Sequence, residues 1–206
     1  MITIIDLNIG NIGSVVNMIK HVGGDCRVSS DLNEINNASK LILPGVGSFD
    51  KAMNQLREKQ LEKIIINKAT VEKIPLLGIC LGMQLLTNSS EEGKEKGLGL
   101  INAETLSFKK AFDNKEINER IPHMGWNDIS VEQENSLTNN LIELSRFYFV
   151  HSYYVKCSNK KNILMQSNHG FDFDSAIIED NIYGVQFHPE KSHKYGKKLI
   201  SNFVKL

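Results

Sequence analysis

The sequence predicts an α/β fold: an open, largely parallel central sheet flanked by helices, with short antiparallel strands in the C-terminal half. Three observations predict it. Short apolar runs alternate with stretches of helical spacing through the first half. The second half carries closely spaced strand-like runs, as hairpins do. The last stretch returns to helical spacing.

Ile2 to Ile5 reads as a buried strand ending at Asp6. Asn11 to Val22 follows as a helix, with Val15, Ile19 and Val22 on one face. Leu41 to Leu43 is the next apolar run, which Pro44 and Gly45 should stop. Met53, Leu56 and the stretch from Gln60 to Ile66 have helical spacing. Leu76 to Ile79 reads as a third strand, and Leu81 to Leu86 resumes as helix. The stretch from Ala103 to Asn127 has no clean period and receives no assignment. Further strands are expected at Phe147 to Val150, Ile163 to Gln166, Ser175 to Ile178 and Ile182 to Phe187. His193 to Leu206 reads as a terminal helix, with Tyr195, Leu199, Ile200 and Phe203 on its apolar side. Without a repeat, long linker or low-complexity tail, residues 1–206 are expected to form a single domain.

Lysine plus arginine equals aspartate plus glutamate, at 24 each, which argues against a nucleic-acid binder. No apolar run approaches the roughly 20 residues of a membrane span, and the start lacks the pattern of a secretory signal. The three cysteines, Cys26, Cys80 and Cys157, show no zinc or redox spacing. A reduced, cytoplasmic protein needing no metal and no cofactor is expected.

The chemistry concentrates in Leu76-Leu77-Gly78-Ile79-Cys80-Leu81-Gly82-Met83-Gln84. A G-x-C-x-G between strand and helix is the cysteine form of a nucleophile elbow. Small neighbours permit a sharp turn, and the helix N-terminus favours thiolate over thiol. The backbone N–H of Leu81 is placed to help hold an oxyanion. Cys26 and Cys157 lack such a setting and read as ordinary packing residues.

A thiol nucleophile needs a base and a group that orients it. Gly184-Val185-Gln186-Phe187-His188-Pro189-Glu190 offers both, with His188 at the end of a strand. In an extended chain His188 and Glu190 point the same way, and the carboxylate can fix the imidazole. The other histidines, His21, His123, His151, His169 and His193, carry no such context. Leu43-Pro44-Gly45-Val46-Gly47-Ser48 could offer backbone N–H groups to an oxyanion, and it lacks the pattern of a nucleotide P-loop.

Together these segments resemble the class I, or triad-type, glutamine amidotransferases, and among them the subfamily serving imidazole glycerol phosphate synthase. The matching pieces are Pro44-Gly-Val-Gly47, Gly78-Ile-Cys-Leu-Gly-Met-Gln84, Gly97-Leu-Gly-Leu100, Pro122-His-Met-Gly-Trp-Asn127, Tyr148-Phe-Val-His-Ser-Tyr153 and Gly184-Val-Gln-Phe-His-Pro-Glu-Lys-Ser192. They run through nearly the whole chain in family order. The resemblance implies that Cys80 attacks the side-chain amide of L-glutamine. His188, oriented by Glu190, protonates the departing ammonia, and water then cleaves the glutamyl thioester. It implies an oxyanion region at Val46, Gly47 and Leu81 and a glutamine pocket at Gly47, Gln84, Ser152 and Tyr153. It also implies a heterodimer with a (β/α)8-barrel cyclase that takes up ammonia through a protected channel, in histidine biosynthesis. Asn11, Ser14, Trp126, Tyr148 and Lys191, with Ser192 beside them, would face that partner.

The chain departs from the family at its start. Asp6-Leu7-Asn8-Ile9-Gly10-Asn11 replaces the usual Asp-Tyr-Gly-x-Gly-Asn, and Gly13 stands where a basic residue is common. This departure keeps the ammonia acceptor open, and two further readings stand beside the first. The same chemistry could feed a synthetase for a bacterial surface-sugar precursor, or the chain could be a non-catalytic regulatory subunit.

Overall fold

The computed structural model describes residues 1–7, 12–141 and 145–206. The first half runs β1 (Ile2–Ile5), α1 (Ile12–His21), β2 (Cys26–Ser29), α2 (Leu32–Asn36), β3 (Lys40–Gly45), α3 (Phe49–Glu58), α4 (Leu61–Thr70), β4 (Leu76–Cys80) and α5 (Leu81–Leu85). The second half adds β5 (Ser89–Ser90), β6 (Ala103–Ser107), α6 (Phe108–Lys115), β7 (His123–Asp128), β8 (Ser130–Val131), β9 (Arg146–His151), β10 (Tyr153–Cys157), β11 (Ile163–Asn168), β12 (Asp172–Glu179), β13 (Ile182–Val185) and α7 (His193–Lys205).

The main sheet has the order β2-β1-β3-β4-β13-β12-β10-β6-β5, with β11 branching from β12 and β8 pairing with β11. Pairings from β2 to β13 are parallel, and those from β13 through β12 and β10 to β6 are antiparallel. The α/β expectation holds, including the antiparallel C-terminal half. Alternation along the strands divides the apolar residues between the two sheet faces. Ile4, Ile42, Leu77 and Ile79 pack with Val15, Ile19, Leu199 and Phe203 of α1 and α7. Ile5, Leu41, Leu43 and Leu76 pack with Met53, Leu56, Ile65 and Leu81 of α3, α4 and α5. Leu7, one of the residues at which the chain departs from the family pattern, is fully buried in this second cluster.

Several elements differ from the sequence reading. Pro44 and Gly45 do not stop β3; they pair with Ile79 and Cys80. On its other side β3 pairs with β1 only through Ile42, so Pro44 is asked for no N–H there. Leu76 opens the fourth strand, because β2 precedes it. β2 shows no apolar run in the sequence because it is a sheet edge with mixed, partly exposed residues. The helical stretch at Gln60 is broken: Gln60 is left-handed at φ 59° and separates α3 from α4. The unassigned stretch from Ala103 holds β6, α6 and most of β7, whose half-buried faces blur the period. β9 leaves the main sheet and pairs with β7, and β10 begins one residue later. β13 ends at Val185, so Gln186 and Phe187 lie beyond it.

Candidate active site

The C-terminal ends of β3, β4 and β13 lie side by side and carry the candidate residues. Cys80 ends β4 and directly precedes α5, with φ 55° and ψ −110°. A non-glycine residue pays for such a backbone and holds it only where its surroundings enforce it. Here packing enforces it. A Cβ on Gly82 would sit 1.7 Å from the carbonyl oxygen of Leu43, and one on Gly78 would sit 2.6 Å from that of Gly82. Both glycines of the motif are therefore steric requirements of docking α5 against β3 and β4.

Cys80 opens onto a cleft of about 440 Å³, lined also by Val46, Gly47, Leu81, Gln84, Glu92, Pro122, His151, Ser152, Tyr153 and His188. All the expected oxyanion and glutamine-pocket positions thus share one cavity with the sulfur and the imidazole. Gly45 is in register with Cys80, so Val46 and Gly47 continue past the elbow. Gly47 has φ 112°, a conformation that favours glycine.

His188 Nδ1 lies 2.7 Å from Glu190 Oε1, and both side chains are almost fully buried. The extended geometry expected for this pair is not what brings them together. His188 is extended, but Pro189–Lys191 form a 3-10 turn, and the turn folds the carboxylate back under the imidazole. Pro189 suits the first position of that turn, where an N–H would go unused. The turn is fastened to β9: His188 N donates to Tyr148 O at 2.8 Å, and Tyr148 N donates to Ser192 Oγ at 3.0 Å. Ser192 Oγ in turn donates to His188 O at 2.6 Å.

Burial works against a charge on His188. The Cys80 sulfur and the Glu190 carboxylate outweigh it and push the imidazole up to about 9. His188 Nε2 is buried and has no hydrogen-bond partner among the described residues, while the Cys80 sulfur is near enough to act on the ring. An imidazolium at neutral pH, facing a thiol, is the charge arrangement that thiolate nucleophiles use.

Two residues of the site were missed as site residues. Gln186 Nε2 donates to Cys80 Sγ at 3.7 Å, while Gln84 Nε2 donates to Gln186 Oε1 at 3.0 Å. Its position two residues before His188 was the available signal. Glu92 is the one carboxylate among the described residues that line the cleft; its Oε2 accepts from Phe49 N at 3.1 Å, and burial raises its pKa. No local pattern marks it.

The described residues expected to face a partner sit on α1, β7, β9 and the Pro189–Lys191 turn. Trp126 is 41% exposed, lies opposite Tyr148 in the β7–β9 register and stacks on His193 at 5.4 Å. Lys191 Nζ stands 5.7 Å over the Tyr148 ring. Ser14 lines a shallow groove between α1 and α7 that also reaches Glu190. Asn11 lies outside the described residues. Ser192 does not face outward: it is fully buried by the bonds to His188 and Tyr148. Cys26 and Cys157 sit apart from the cleft, and burial raises both thiols.

A strained cysteine on a strand-to-helix elbow, sharing a cleft with a carboxylate-held imidazole, defines an α/β enzyme of the cysteine-nucleophile class. The sequence model of the class-I glutamine amidotransferases matches residues 3–206, and the chain belongs to that family. It is 59% identical to imidazole glycerol phosphate synthase subunit HisH 2 of Methanococcus maripaludis, over 100% of this chain and 99% of that protein. It is 45% identical to the HisH 2 protein of Pseudomonas aeruginosa, over the full length of both. Among solved structures, PurLQS from Thermotoga maritima superposes with a TM-score of 0.75 at 18% identity, covering 99% of this chain and 97% of that one. A crystal structure titled glutamine amidotransferase gives 0.74 at 17%, with the same coverage. At these identities the structural matches speak for the fold alone.

Proposed function

We propose that this chain is the glutaminase subunit of an imidazole glycerol phosphate synthase, acting as a single domain in histidine biosynthesis. The full-length identity to proteins of that name supports the assignment. The single observation that carries the chemistry is that Cys80 and His188 share one cleft while Glu190 is held against the far nitrogen of the His188 ring.

Cys80, as thiolate, attacks the amide carbon of L-glutamine. The C–N bond breaks with a proton from His188, releasing ammonia and leaving a glutamyl thioester. Water, activated by the now neutral His188, hydrolyses the thioester to glutamate and restores the thiol. Glu190 orients the imidazole and stabilises its charged form. The N–H groups at Gly47 and Leu81, with Val46 in the same turn, hold the tetrahedral oxyanion. Gln84, Ser152 and Tyr153 bind the substrate, and Glu92 supplies the negative charge that its α-ammonium needs. Gln186 supports the thiolate by its donated hydrogen bond.

Ammonia passes to a (β/α)8-barrel cyclase that forms a heterodimer with this chain through the Trp126, Tyr148, Lys191, Ser14 and Asn11 face. The exposure of Trp126 beside exposed Met124 supports such a face. The reaction runs in the cytoplasm, without membrane or nucleic acid. None of the described helices is long and apolar enough to cross a membrane.

The test is glutamate release with and without the cyclase and its ribotide substrate. Release should be weak alone and strong in the complex, and absent in Cys80→Ala. Full activity in Cys80→Ala would overturn the mechanism. Failure of a histidine-pathway cyclase to stimulate release would overturn the partner.

A further inference from the structure

Beside the cleft lies a buried group of titratable side chains that the mechanism does not use. His123 and His151 are 6% and 7% exposed, and both are enclosed by Phe108, Phe149 and Phe173. Their hydrogen bonds form one chain. Asn127 Nδ2 meets His123 Nε2 at 3.0 Å, His123 Nδ1 meets His151 Nε2 at 2.9 Å, and His151 Nδ1 meets the carbonyl oxygen of Tyr153 at 2.7 Å.

The polarity of this chain follows from its ends. A carbonyl can only accept, so His151 Nδ1 carries the hydrogen. If that ring is neutral, its Nε2 accepts, and His123 Nδ1 donates. His123 Nε2 then accepts from the Asn127 amide. The orientation of that amide is fixed independently: its Nδ2 also donates to Asn168 O at 2.8 Å, and its Oδ1 accepts from Asp128 N at 2.8 Å. Every link agrees, with both rings neutral and each in one tautomer. An extra proton on either ring would set two N–H groups against each other. Burial holds both imidazoles neutral, lowering His123 to about 4 and His151 to about 3.

The chain ends where the two sheets part. β9 finishes at His151 in the two-stranded sheet, β10 starts at Tyr153 in the main sheet, and Ser152 alone lies between. His151, Ser152 and Tyr153 all line the cleft. The His151 ring therefore bridges its own strand end to the first carbonyl of the next strand, across the residue expected to touch substrate.

We infer that His123 and His151 are positioning residues for glutamine: the relay from Asn127 to the Tyr153 carbonyl fixes the Ser152 corner of the pocket. This rests on the glutaminase reading above. The relay touches no reacting atom, so it acts on binding of the substrate and not on the reactivity of the sulfur.

Asparagine can place an amide N–H near where histidine places Nδ1, so His123→Asn keeps the donor to His151, whereas His123→Leu removes it. The probe is covalent labelling of Cys80 in the full chain by a diazo-ketone analogue of glutamine, with iodoacetamide labelling in parallel. In His123→Leu the half-saturating analogue concentration should rise about tenfold, the effect of one lost buried hydrogen bond. Its maximal labelling rate and the iodoacetamide rate should stay within about threefold, and His123→Asn should recover most of the loss. Asn127→Ala, at the partly exposed end, should shift the same constant about threefold in the same direction, and serves if His123→Leu does not fold. Unchanged half-saturation in these variants, or a parallel fall of both labelling rates, would overturn the proposal. If the analogue fails to label Cys80 saturably in the unaltered chain, the glutaminase reading itself fails.

Discussion

Gln186 donates its amide hydrogen to the sulfur of Cys80 at 3.7 Å. The amide is wholly buried and held from behind by Gln84 at 3.0 Å. The sulfur thus has a neutral hydrogen-bond donor that links it to Gln84, which lines the same cleft. Replacing Gln186 by Leu should lower the glutamine hydrolysis rate by about 10-fold to 100-fold, the usual worth of a hydrogen bond to a charged group. The rate of Cys80 alkylation against pH should show its midpoint displaced upward. An unmoved midpoint would mean that the contact does not stabilise the thiolate.

Glu190→Gln removes the charge that helps hold the His188 proton. The imidazole should then titrate below its present value of about 9. The sign for stability follows: a raised histidine contributes stability that is complete below about 6.5 and is lost as pH rises through about 9. The variant should show a shallower loss on that alkaline side in urea unfolding. Its glutaminase rate should fall roughly 10²-fold or more.

His123 and His151 act with the opposite sign. Unfolded histidine titrates near 6.5, whereas the folded rings titrate near 4 and 3. Below about pH 6.5 the unfolded chain takes up protons that the folded one refuses, so stability falls as pH drops toward 4. For His123 the full effect is about 3 kcal/mol, and because the two rings share a hydrogen bond their effects do not simply add. Urea midpoints at neutral and mildly acidic pH measure it, and His123→Asn should flatten the dependence.

Gly82→Ala should destabilise the fold by about 3 kcal/mol or more, because the new methyl collides with the Leu43 carbonyl. Denaturant unfolding reads this directly. Wild-type stability in that variant would show that α5 can slide on β3.

Glu92→Gln should raise the KM for glutamine by about tenfold, with kcat within a few-fold, if the carboxylate meets the substrate ammonium. Steady-state kinetics of the complex separate the two constants.

The buried half of the fold was legible because strands covered on both faces are continuous apolar runs, as at Leu76–Cys80. The edge strand β2 and the half-covered β6 and β7 were not, since solvent on one side dilutes the signal. Cys80 could be read from its glycines, whose clashes are short-range. The pairing of His188 with Glu190 could be read too, though a turn and not strand alternation produces it. Glu92 and the histidine relay join segments remote in the chain. His123 and His151 meet only because β7 pairs with β9 in the register that sets them opposite one another. No spacing along the sequence encodes that.

The fit of Gly82 against the Leu43 carbonyl bears on what can move. The elbow and the last residues of β3 form a single interlocked joint, with Gly45 against Leu81 as well. Any switching of the site between resting and working forms must therefore spare this joint. It is left to the few peptide planes after Gly45, of which Val46 is exposed and Gly47 is already at φ 112°. A signal arriving from a bound partner would need to rotate only those planes, like a latch turning on a fixed doorpost.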